Sequence, residues 1–199
     1  RPDYPNVSNL LDDSVGASYL DGTYTSGIAA GWVKTGSATL TENTSNAYYR
    51  HGSSSQKVVV TTAGGGIISD IVTVAPSTAR PNMIVSVWLM VTVKENASTF
   101  VKVQLEDDTN GVLFPLDSEE AAVTNVVGRW TRIDITAGPP FYDFVSPSVG
   151  DAVTACKVLI TSVGGTATFY VDAVSLENTP SIQPAGEIVQ GRAPNALWQ

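Results

Sequence analysis

The chain has 199 residues, 11 basic and 19 acidic, for a net charge of −8 with only 15% charged residues. Scattered basic residues with no Arg/Lys stripe exclude a nucleic-acid binder, which needs a cationic footprint for phosphate. No stretch is long and apolar enough for a membrane-spanning helix. Val, Thr, Ser, Ala and Gly dominate, and 17 glycines with 11 prolines predict many short strands separated by turns.

Residues 1–8 read as an irregular lead-in with Pro2 and Pro5, and Asn9-Leu10-Leu11-Asp12-Asp13 as the first strand or its entry. A Gly-, Ser- and Tyr-rich loop over 14–30 precedes strands at 31–33 and 37–41. A polar loop with Tyr48-Tyr49 leads to His51-Gly52-Ser53-Ser54-Ser55 and a strand over 56–62. Gly64-Gly65-Gly66 is a turn, and 67–74 is read as one strand with Ile68, Asp70, Val72 and Val74 on one face. The longest strand is 83–93, where Val85, Val87, Leu89, Val91 and Val93 mark the core face and Trp88 the other. The strand at 100–106 points Val101, Val103 and Leu105 inward and Lys102 and Gln104 outward. A short strand near 121–123, strands at 128–135 and 155–162, and a final strand over 166–177 follow. In the last strand, alternation places Tyr170, Asp172, Val174 and Leu176 on one face and Phe169, Val171, Ala173 and Ser175 on the other. Residues 179–199 carry Pro180, Pro184 and Pro194 and read as an extended arm.

Nine or ten strands, no helical period and turns about every ten residues predict an all-β chain: a two-sheet antiparallel β-sandwich of jelly-roll type, with an irregular C-terminal arm. Enzymatic chemistry finds little support. His51 is the only histidine, which excludes a multi-histidine metal site, and adjacent acids such as Asp107-Asp108 point to opposite sides of a strand. Cys156 lies in an apolar run and reads as a buried small hydrophobe. Trp32 and Trp130 stand beside glycine turns and read as plugs at the sandwich ends.

The ordered segments Asn9-Leu10-Leu11-Asp12, Gly31-Trp32, His51 to Val58, Val85 to Leu89, Gly128-Arg129-Trp130-Thr131 and Tyr170 to Leu176 resemble the jelly rolls of carbohydrate-binding modules of families four, nine and twenty-two. The resemblance covers residues 9–178. The same module is similar to domains of bacteriophage virion proteins. The first resemblance implies a non-catalytic module binding a polysaccharide or cell-surface glycan on an extracellular or surface-exposed protein. The second implies a virion structural, decoration or receptor-binding domain, on the virion surface, whose arm contacts other subunits. The resemblance also implies a structural Ca²⁺ tying first strand to last through Asp12 and Asp172, with Asp13 as a substitute and Ser53 adding an oxygen. For sugar, which needs an aromatic platform beside amide and charged groups, the expected residues are Trp88, Lys102 and Gln104 in one groove and Phe141 and Tyr142 in an exposed loop.

Overall fold

The period-two patterning is realised as strands throughout the computed structural model, which describes residues 11, 20, 23–73, 82–108, 111–114, 123–124, 126–137 and 155–179. In chain order the strands are β1 (Tyr24–Thr25), β2 (Ile28–Ala29), β3 (Trp32–Thr35), β4 (Ala38–Asn43), β5 (Ser55–Val60), β6 (Gly66–Ser69) and β7 (Val72–Thr73). They continue as β8 (Asn82–Lys94), β9 (Phe100–Asp107), β10 (Val112–Phe114), β11 (Val123–Thr124), β12 (Trp130–Ala137), β13 (Ala155–Val163) and β14 (Ala167–Thr179). No helix occurs among the described residues.

The strands form two large antiparallel sheets. One runs β12-β8-β14-β5-β4; the other runs β10-β9-β13-β6-β3, with β11 on β9 and β7 on β13. A small β1-β2 hairpin lies outside both. The core is the shared inner face: Val85, Val87, Leu89 and Val91 of β8, Val101, Val103 and Leu105 of β9, Val158 and Ile160 of β13, and Phe169, Val171 and Leu176 of β14. Burial of this apolar layer is the main driving force for the sandwich. Gly66 marks where two strands approach closely. A Cβ there would stand 2.0 Å from the Ile160 carbonyl oxygen, so no other residue fits between β6 and β13.

Three expectations change with the pairing. The segment 67–74 is not one strand: it breaks at Asp70-Ile71, leaving Ile71 exposed, and the hydroxyl of Ser69 fills the gap in the ladder by accepting the Val158 N–H at 2.9 Å. Val93 is not in the core but 59% exposed, because Val91 pairs with Phe169 while Val93 pairs with Thr168. The additional residue on β8, Thr92, turns the alternation over. A second irregularity lies between Asp172, opposite Trp88, and Ser175, opposite Ser86. Here the additional residue is on β14, and Ala173 takes a positive φ of 46°. Val174 and Leu176 therefore join Phe169 and Val171 in the core rather than Tyr170 and Asp172 outside it.

Candidate functional site

Each sheet has an outer face, and the two differ in chemistry. On the five-stranded sheet, β12, β8 and β14 set Arg132, Trp88 and Asp172 in one row. The next row sets Trp130, Met90, Tyr170 and Lys57 across β12, β8, β14 and β5. The segment between β4 and β5 folds over the β14 side of this face. Tyr48 stacks on Tyr170, with ring centroids 4.5 Å apart and planes 8° from parallel, and the Arg50 guanidinium carbon sits 4.7 Å from the Trp88 ring centroid. Burial raises the Tyr170 phenol pKa, and Tyr48 adds to the effect. The segment is tied to its base by Asn43, whose Nδ2 donates to the Tyr48 carbonyl at 3.1 Å and to Ser55 Oγ at 3.0 Å.

Asp172 anchors the same segment and is fully buried. Its Oδ2 accepts the N–H groups of Arg50 and His51, the latter at 2.8 Å, and its Oδ1 accepts the Ala173 N–H at 2.7 Å. Backbone donors of this kind stabilise a buried carboxylate. Of the other expected calcium ligands, Asp12 and its substitute Asp13 lie outside the described residues, and Ser53 is exposed in the bend after His51. Ca²⁺ takes six to eight oxygens, whereas the described part of this set offers one hydroxyl and a carboxylate already met by N–H groups. No group of three or more His, Cys, Asp or Glu side chains positioned for a metal occurs among the described residues.

On the seven-stranded sheet the outer face is set by β9, β13, β6 and β3. Gln104, Leu159, Ile68 and Val33 form one row, and Lys102, Thr161, Gly66 and Thr35 the next. Phe100 continues the β9 side beside Val163. Lys102 and Gln104 point away from the core, yet they are only 9% and 3% exposed, and each is engaged by a further interaction. They face outward, as alternation predicts, but as enclosed polar groups on that outer face. At the β10 end Lys157 pairs with Asp108 at 2.6 Å and Glu106 at 3.6 Å, and the hydrogen bond to Asp108 leads in raising its pKa. Its charge is thereby offset.

The sequence matches no protein-family model and no curated protein. Solved structures do match. The chain is similar to the xylan-binding domain CBM22-1 of Paenibacillus barcinonensis Xyn10C, with a TM-score of 0.60, 14% identity, and 88% of this chain and 97% of that one covered. It is similar to the C-terminal family 22 carbohydrate-binding module of Clostridium thermocellum Xyn10B, with a TM-score of 0.55, 18% identity, and coverage of 84% and 98%. It is also similar to TmCBM61, solved with β-1,4-galactotriose, with a TM-score of 0.52, 10% identity, and coverage of 86% and 99%. The chain has the fold of a carbohydrate-binding module. At these identities the likeness is one of fold, and a site has to be argued from side chains.

Within the module fold the expected groove of Trp88, Lys102 and Gln104 does not form. Their strands are consecutive in sequence, but β8 belongs to the five-stranded sheet and β9 to the seven-stranded one. Trp88 therefore lies on the opposite outer face from the other two. Phe141 and Tyr142 lie outside the described residues. Trp32 is buried, as expected of a plug, whereas Trp130 is half-buried on the outer face of the five-stranded sheet. The sequence did carry a signal for this. Ile133 and Ile135 turn into the core, so alternation sends Trp130, Arg132 and Asp134 outward. Phe100 is found in the same way from Val101, Val103 and Leu105. Tyr48 and Arg50 are loop residues with no period, and no local signal reveals their partners.

Proposed function

We propose that this chain is a non-catalytic carbohydrate-binding module, carried on an extracellular or surface-exposed protein, whose sugar surface is the outer face of the seven-stranded sheet. The observation that carries the proposal is the enclosure of Gln104 and Lys102 on a face turned away from the core. An enclosed amide and ammonium flanked by Leu159, Ile68, Thr161 and Phe100 supply the mixture that a pyranose needs. Half-buried Leu159, Ile68 and Phe100 meet its C–H face, and Gln104 and Lys102, almost fully enclosed, meet its hydroxyls only through the small part of their polar groups left open. The solved modules of the same fold bind, by their names, xylan and β-1,4-galactotriose, which supports a plant-type polysaccharide as ligand.

Affinity gel electrophoresis in xylan, galactan, glucan and mannan tests the reading. At least one polysaccharide should retard the protein. Gln104→Leu, which keeps the volume and removes the amide, should lose that retardation while melting as a folded protein. Free migration of the wild-type chain in all four gels would reject the proposal. The virion reading rests on the Asn9-Leu10-Leu11-Asp12 start and the arm at 179–199, of which only Leu11 and Thr179 are among the described residues.

A further inference from the structure

The β8–β12 half of the opposite face remains to be explained. There, side chains stand in three facing pairs: Trp130 with Met90, Arg132 with Trp88, and Asp134 with Ser86. The polar pairs are joined into one network. Arg132 Nε donates to Asp134 Oδ1 at 2.9 Å, Arg132 Nη2 donates to Ser86 Oγ at 3.1 Å, and Ser86 Oγ donates to Asp134 Oδ1 at 2.5 Å. Arg132 and Asp134 are both about half exposed as side chains, at 54% and 52%. An exposed ion pair of this kind contributes little to stability, so folding energetics do not account for it.

The two tryptophans beside it differ. Trp88 is capped by Arg50, which restrains its ring. Trp130 is half-buried, and its indole has no hydrogen-bond, ring or cation partner among the described residues. Trp130 and Trp88 are diagonal neighbours, within reach of one another across antiparallel strands. From Trp130 to Asp134 the patch runs along β12 for about 13 Å at the usual strand rise.

We propose that this patch is a second, independent binding surface for a neutral, hydroxyl-rich chain ligand of pyranose type. Trp130 is the platform on which a sugar ring lies. Arg132, Asp134 and Ser86 are the polar rim, offering N–H and O–H donors beside carboxylate and hydroxyl acceptors to vicinal hydroxyls. Arg132 and Asp134 cancel in charge, and Arg50 over Trp88 is matched by the Asp172 carboxylate in the same row, so the patch selects neither anionic nor cationic polymers, which distinguishes it from an electrostatic docking site. The surface lies across the sandwich from Gln104 and does not depend on that face binding sugar. With both surfaces occupied, one chain would bridge two polysaccharide strands.

Tryptophan emission under titration with β-1,4-linked xylo-oligosaccharides and galacto-oligosaccharides reports on this patch, which holds Trp88 and Trp130, and Trp130→Ala isolates its share from that of the other tryptophans. A saturable emission change is expected with at least one series. Trp130→Ala should abolish it, and Arg132→Ala, an exposed substitution that leaves the fold intact, should weaken the affinity about tenfold, equivalent to roughly 1.4 kcal/mol. If neither series changes the emission, or if Arg132→Ala binds as tightly as wild type, the second surface is rejected. Retardation in polysaccharide gels that Gln104→Leu abolishes, with no emission change, would reject this surface alone and leave the other standing.

Discussion

Gln56 is a polar residue doing the work of a core residue. It is fully buried; its Oε1 accepts the Ala29 N–H at 2.9 Å, and its Nε2 donates to the Gly27 and Thr41 carbonyls, each at 2.9 Å. One amide thereby pins the β1-β2 hairpin to the edge of the five-stranded sheet. Gln56→Leu would leave these backbone groups buried and unpaired, so urea denaturation should show a loss of about 3 kcal/mol. A loss below about 1 kcal/mol would mean that water replaces the amide. The strand around Gln56 is legible from its pattern, but a glutamine at an inward position reads in sequence as an outward one. Its Ala29, Gly27 and Thr41 partners are 15 to 29 residues away, out of reach of any local signal.

At the scale of elements, β14 carries the most consequence. Its bulge brings Asp172 to the outer face and Val174 into the core, and it does so through a positive φ at Ala173. A side chain in the left-handed region costs roughly 1 kcal/mol, so Ala173→Gly should raise stability by about that amount, less its added unfolded-state entropy. A melting temperature that falls would show that the alanine methyl group packs usefully. Asp172 in turn holds the loop between β4 and β5, through N–H groups 121 and 122 residues away in sequence. Asp172→Ala should cost about 3 kcal/mol and open residues 44–54 to proteolysis. If the three N–H groups on its carboxylate are the whole reason for the buried acid, EDTA should leave the wild-type melt unchanged. A melt lowered by EDTA in the wild type but not in Asp172→Ala would instead identify a calcium ion shared with Asp12.

For the whole molecule, the native state retains protons into the alkaline range. Burial pushes the Cys156 thiol from 9.0 up to about 12, with Asp107 and Asp108 adding to the effect. Burial also raises Tyr170, and the hydrogen bond to Asp108 raises Lys157. In each case the folded pKa exceeds the unfolded one, so the folded protein binds more protons across the interval between them. Stability is therefore full below about pH 9 and declines as pH climbs toward 12. The Cys156 share is on the order of 4 kcal/mol at the top of that window. Urea denaturation from pH 8 to 11 should show the decline, and Cys156→Ser should flatten it. Equal pH slopes for wild type and variant would remove Cys156 as the cause. The buried neutral thiol should also resist alkylation until the protein unfolds.

The long strands and the core residues Val85, Val87, Leu89 and Val91 of β8 and Val101, Val103 and Leu105 of β9 were determined by the sequence by itself, because a strand's period of two is a local property. The motif order also sufficed to suggest the module fold. Only the tertiary structure decided which sheet each strand joins. It put β8 and β9 in different sheets, parted Trp88 from Gln104, and turned Val93 out and Val174 in through single additional residues. These outcomes depend on pairing between residues far apart in sequence, where one inserted residue inverts a face without altering the local pattern.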